Sequence, residues 1–236
     1  MSQSVGAALL RPAVRLEAAR AADIAVGQIG GLPQLSADVE WPSREGHGPH
    51  SFIASVDCTS LRVGALDIML PIEGTLSFFY FGGQLDDGEA LVLADDCESS
   101  AGACVLYTPA EEECGERDAP AGLQPYPKVP LTTLLGLTTA EPWHPQVRDA
   151  CAPGAPLWNR YDHSVRSQEF LDALPEFDTE VGHHIGGRAH SVQNPVDIEV
   201  AGAVMAGRCP RATWPSITRP ATGRCSLSST VTMPPT

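Results

Sequence analysis

Apolar positions in this chain fall into short runs separated by turns, a pattern that predicts strands more than long helices. The N-terminal stretch is the exception: residues 8–22 are rich in Ala, Leu, Arg and Glu, with Pro12 acceptable in a first turn, and predict a helix. A turn-rich segment, "GQIGGLPQLSADVEWPSREGHGP", follows. Four strands are then expected in quick succession. "SFIASVDC" places Phe52, Ala54, Val56 and Cys58 on one face, with Ile53 breaking the alternation. "GTLSFFYF" is apolar on both faces and reads as a central strand, and "EALVLA" and "ACVLYT" complete the run across acidic turns. Residues 110–130 are acidic and then proline-rich, an exposed connection, and "KVPLTTLLGLT" predicts one more strand. "SVRSQEFLDALPEF" has the spacing of a short amphipathic helix ended by Pro175.

"QIGGLPQL" at residues 28–35 and "HHIGGRAHSVQ" at residues 183–193 repeat one Ile-Gly-Gly turn about 150 residues apart, which predicts an internal duplication. The 22 glycines and 21 prolines suit the many turns this requires. A formal net charge of −14, with no basic run, argues against nucleic acid and anionic lipid, both of which are bound through clustered Lys and Arg. A basic protein partner would be attracted instead. No window approaches the ~20 apolar residues of a membrane span, and Arg11, Arg15, Glu17 and Arg20 interrupt what would be the core of a signal peptide. A cytoplasmic location is expected, with the seven irregularly spaced cysteines as reduced thiols.

Candidate chemistry is sparse. The Gly30-Gly31 and Gly186-Gly187 turns offer backbone N–H groups of the kind that cradle an anion, but no phosphate-loop or dinucleotide fingerprint accompanies them; glycine's access to positive φ is the better reason for them. His183, His184 and His190 lack a metal-binding spacing, and neighbours in an extended chain point to opposite sides. Cys97, Cys104 and Cys114 lie in acidic loops that disfavour a thiolate. "LDDGEALVLADD" lacks the ligand pattern of a calcium loop, and no G-x-S-x-G occurs. No cofactor and no metal are expected. Trp41 and Trp143 sit in loops, where an aromatic either lines a ligand groove or caps a core edge.

The ordered motifs "QIGGLPQL", "EWP", "SFIASVD", "LPIEGTLSFFYF" and "HHIGGRAHSVQ" together resemble the YwqG-like bacterial family, a domain of unknown function (1963). The resemblance runs from about residue 25 to about residue 194. Gln28 departs from the family's frequent Lys, Ala54-Ser55 from its Ala-Gln, and Arg188-Ala189 from its aromatic-Pro ending. The resemblance implies an α+β fold of two duplicated, mostly antiparallel sheet halves, with His183 as the motif residue that holds its turn by a hydrogen bond. It also implies that a Trp, a strand like Leu-Leu-Gln-Ile-Asp and an aromatic strand should follow Gln193.

The chain instead ends in "RCPRATWPSITRPATGRCSLSSTVTMPPT". Codons for residues 224–235 exist that, read from the third base of each, spell Val-Leu-Ala-Gln-Leu-Asp-Ser-Asp-Asp-Ala-Ala-Asp; every third base is then G or C except at Thr230. A slipped frame between Gln193 and Arg224 is therefore expected. A central strand with about four buried apolar side chains contributes roughly 6–12 kcal/mol, so its loss predicts a half-folded chain.

The organisation expected is a helical segment over 1–24, a YwqG-like domain over 25–194 (first repeat 25–108, linker 109–181, start of an incomplete second repeat 182–194) and an out-of-frame or disordered tail over 195–236. The leading functional reading is a non-enzymatic binding or interaction module, with Gly30, Gly31, Pro33, Trp41, His183, Gly186, Gly187 and Gln193 about a cleft between the repeats. A partner protein is the expected ligand class. The alternatives are a hydrolase using His183 with a carboxylate across that cleft, and the inactive product of a disrupted gene.

Overall fold

The computed structural model describes residues 9–82, 84–85, 88, 90–93, 96–139, 144, 146–147, 182–189 and 196–206. The helix expected at 165–174, Trp143, His190 and Gln193 lie outside them. Among the described residues the chain is mostly β, with one α-helix, α1 (Val196–Met205), and a few short 3-10 turns. The strands are β1 (Leu10–Ala18), β2 (Gly27–Ile29), β3 (Gln34–Leu35), β4 (Ser43–Arg44), β5 (Gly48–Pro49), β6 (Ser51–Asp57), β7 (Thr75–Tyr80), β8 (Ala103–Thr108), β9 (Gly115–Glu116), β10 (Val129–Thr139) and β11 (His183–Gly186). Seven form one sheet in the order β11-β1-β10-β2-β6-β7-β8; β3 pairs with β9 and β4 with β5. No helix of the described residues is long and apolar enough to cross a membrane.

The chain divides into two units. One comprises residues 18–60, 71–132 and 197–236. Its strands β6, β7 and β8 form an antiparallel meander, with β7 between the other two as its two-faced apolar pattern predicts. A bulge at Ile53 sets the faces: Phe52 pairs with Phe79, whereas Val56 pairs with Leu76, three residues away on β7. Partners directly across a ladder share a face, so Phe52 and Val56 lie on opposite faces of the sheet. This corrects the single face expected for Phe52, Ala54 and Val56. On the Phe52 side, Leu35, Val39, Phe79 and Leu106 complete a buried cluster, with Trp41 and Cys104 packed against it.

Two further expectations change here. "EALVLA" is not a strand: its described residues 90–93 are turn and coil, and Leu91 and Leu93 are about half exposed. The neighbour of β7 is β8 itself, in register from Thr75↔Thr108 to Tyr80↔Ala103, so the segment between them does not pair with β7. The 110–130 connection is not wholly exposed either, since Leu123 is buried and β9 pairs with β3.

The other unit comprises residues 1–17, 61–70 and 133–196. The predicted N-terminal helix is here strand β1, antiparallel to β11 from Ala13↔Gly186 to Leu16↔His183. Helix propensity separates these residue types by less than ~1 kcal/mol each, and ladder bonds together with burial of Ala13 and Val14 outweigh it. Helix α1, within the span 195–236 given above to the tail, has all but its first residue in the unit that holds β6, β7 and β8.

Candidate functional site

Strand β2 ends in the first Gly-Gly turn. Gly30 and Gly31 have φ of 63° and 70°, the left-handed region where a side chain is strained. Space forbids one as well: a Cβ on Gly30 would collide with the Pro127 carbonyl oxygen. The Gly30 N–H donates to the Ile53 carbonyl and the Gly31 N–H to the Tyr126 carbonyl, both at 2.8 Å. Those donors are engaged by the fold, not turned toward an anion. Gln28 closes the turn from within, its Nε2 donating to the carbonyls of Gly30 and Leu32 at 2.9 Å.

The second turn repeats this in the other unit. Gly186 and Gly187 have φ of 74° and 71°. The His184 Nε2 meets the Arg188 carbonyl at 2.9 Å. A carbonyl only accepts, so Nε2 is the donor in this contact. The hydrogen bond expected of His183 therefore belongs to His184, because His184 holds the position before the isoleucine that Gln28 holds in the first turn. His183 is exposed, opposite Leu16. The Arg188 N–H donates to the Thr138 Oγ1 at 2.7 Å, and Thr138 in turn reaches the Arg11 carbonyl at 3.3 Å.

The strands beside the two turns also correspond. On β10, Val129 pairs with Ile29 and Leu131 with Gly27; on β1, Val14 pairs with Ile185 and Leu16 with His183. Pro127 precedes Val129 by two residues, as Pro12 precedes Val14. The nearest backbone to a Cβ on the first glycine is Pro127 in one turn and Pro12 in the other.

A shallow groove beside the first turn is lined by Gly31, Leu32, Trp41, Ser51 and Phe52 together with Ala119 and residues 123–125. It encloses room for about one water molecule. Trp41 is held in its wall by an Nε1–H bond to the His50 carbonyl at 2.8 Å and by edge contact with Phe79, centroids 5.4 Å apart. Gly31 and Trp41, both singled out from sequence, thus meet. Gly30 is not in the lining, and Pro33 is buried with its carbonyl accepting from the Arg117 N–H at 3.0 Å. Phe52, Leu123 and Gln124 carry no local signal that would have nominated them; long-range packing brings them in.

Next to this wall His50 is 1 % exposed, and neither ring nitrogen has a partner at hydrogen-bonding geometry. Burial first, and the charge of Arg44 after it, push its pKa down to about 4, although the nearby Ala101 backbone offsets part of the shift. Burial and then Asp57 raise the Cys58 thiol to about 11. Burial and then Glu112 raise that of Cys114. Among the described residues no group of three or more His, Cys, Asp or Glu side chains is placed to hold a metal ion.

No curated protein matches the chain. The family described as Domain of unknown function (DUF1963) matches residues 27–213, a span that contains both Ile-Gly-Gly turns and helix α1 and continues past the limit of about residue 194 inferred from motifs. On that match, which covers most of its 236 residues, the chain belongs to the DUF1963 family.

Proposed function

We propose that the protein is a binding module whose apolar groove makes a surface contact with an extended segment of a partner protein. The observation that carries this reading is the lining. Apart from the Ser51 hydroxyl and the Gln124 amide its side chains are apolar, and none of them titrates near neutral pH to move a proton. Its small volume favours a surface contact over a site for a drug-sized molecule, which needs ~300 Å³ or more. The net charge of −14 favours a basic partner. Selection of displayed peptides on the purified chain at moderate salt, followed by rebinding to an Ala119→Arg variant, tests this. Enriched peptides should lose at least about tenfold in affinity for the variant, ~1.4 kcal/mol. No enrichment, or equal binding to both proteins, ends the reading.

The paired geometry of the two turns supports a duplicated ancestry, with β2 and β11 as equivalent strands. On this proposal β1 and β10 are equivalent too, each pairing with the Gly-Gly strand of the other repeat. The hydrolase alternative gains no support from His183, which stands exposed on β11 while its neighbour closes the turn.

A further inference from the structure

We propose that Gln84 is a latch across the groove, standing where one residue of a partner's extended backbone docks by pairing with Gln124. This rests on the binding reading above and names what the groove recognises, a peptide backbone. The observation is that one side chain ties together the two polar residues of the lining, Ser51 and Gln124. The Gln84 Oε1 accepts from the Gln124 N–H at 2.9 Å. Its Nε2 donates to the Gln124 carbonyl and to the Ser51 Oγ, each at 3.2 Å. Gln84 and Gln124 are exposed, whereas Ser51 is buried.

The chain around each partner explains this geometry. Ser51 opens β6 opposite Tyr80, the last residue of β7, so the segment leaving β7 starts beside it. Phe81 anchors that segment: it is buried, and its N–H donates to the Gly102 carbonyl at 2.7 Å. Gln124 is fixed from both sides, by the buried Leu123 and by the Tyr126 carbonyl, which accepts from the Gly31 N–H at 2.8 Å. It also precedes Pro125, and a residue before proline is confined to extended backbone. An extended residue turns its N–H and its carbonyl to the same side.

In an antiparallel ladder, a hydrogen-bonded pair of residues exchanges both N–H···O bonds. Gln84 gives Gln124 that same pair of bonds from a primary amide. A partner's residue can take over both, so hydrogen bonds at Gln124 are conserved in number. The net gain then comes from the incoming side chains, which meet Trp41, Phe52 and Leu123 once the amide has moved aside. The neighbours of Gln124 limit the match to one pair. Pro125 and Pro127 have no N–H. The Leu123 N–H already donates to the Pro120 carbonyl at 3.1 Å, and the Tyr126 carbonyl is taken by Gly31.

The test is a displayed-peptide selection run in parallel on the wild-type chain and on Gln84→Ala, followed by affinities of the leading synthetic peptide for both. Removing the latch should raise affinity about tenfold, the equivalent of one to two net hydrogen bonds. The Gln124 N–H should exchange fast in free Gln84→Ala and slowly once the peptide is bound. Equal or weaker binding to Gln84→Ala overturns the latch, while sensitivity to Ala119→Arg keeps the groove reading intact. Enrichment on neither chain overturns both. A methyl scan of the peptide's backbone nitrogens on the wild-type chain decides the matter even where Gln84→Ala fails to fold. Methylation at one position should weaken binding at least about tenfold, and at its two neighbours much less. Loss that follows an Asn or Gln side chain of the peptide, or that follows no single position, overturns the backbone pairing.

Discussion

Gln28 and His184 do one task with different side chains: each sits before an Ile-Gly-Gly turn and meets the backbone carbonyl four residues ahead at 2.9 Å. An amide and an imidazole are interchangeable here because the turn asks only for an N–H at a fixed reach.

That gives a direct prediction. Gln28→Ala strands the Gly30 and Leu32 carbonyls and should cost about 1–3 kcal/mol, at ~0.5–1.5 kcal/mol for each net hydrogen bond. Gln28→His should recover most of the Leu32 bond and cost less than half as much. Urea unfolding followed by Trp fluorescence measures both, and equal losses in the two variants would show that the side chain does not close the turn.

The glycines of the first turn should tolerate nothing larger. Gly30→Ala adds a Cβ against the rigid Pro127 carbonyl in addition to the left-handed backbone cost of ~1–2 kcal/mol. Gly46 has a φ of 78° but open space around its Cβ position, so Gly46→Ala should show the backbone cost alone. The difference in midpoint between the two variants isolates the collision.

His50 predicts an acid-sensitive fold. Its folded pKa of about 4 lies below the ordinary 6.5, so the unfolded chain binds more protons between those values. Its contribution is complete above pH 6.5 and is lost as pH falls from 6.5 towards 4, at a cost of about 3 kcal/mol. Thermal midpoints of the wild type and His50→Phe should differ most in slope across that window. Parallel curves would refute the assignment.

Thiol labelling should follow burial. At pH 8 an alkylating reagent should modify the exposed Cys114 while leaving Cys58 untouched, because Cys58 is both covered and held protonated up to about 11. Peptide mass mapping after timed quenching measures the order, and early labelling of Cys58 would contradict its environment.

How much of this was legible in sequence depended on how local each cause was. The two-faced pattern of "GTLSFFYF" gave the central strand, and Ile53 marked the bulge as an interruption, but only the ladder tells that the bulge sends Phe52 and Val56 to opposite faces. Residues 10–18 carry helix-forming side chains, and nothing near them in sequence announces that His183–Gly186 will claim them for a sheet. Gly31 and Trp41 were visible as turn and aromatic. Leu123 and Gln124 reach the same groove from more than 80 residues away, where pattern has no reach. His183 was preferred over its neighbour until the pairing with Leu16 fixed which histidine matches Gln28.

The pairing of β1 with β11 has a consequence during synthesis. Leu16 leaves the ribosome about 170 residues before its partner His183. At ~5–20 residues per second, β1 spends roughly 10–30 s without that neighbour. Its helix-forming composition is suited to that wait, since a chain inclined to coil on itself presents a poor edge to other strands in a crowded cell. The residue choice that misleads a reader of the sequence can thus protect the nascent chain until β11 arrives.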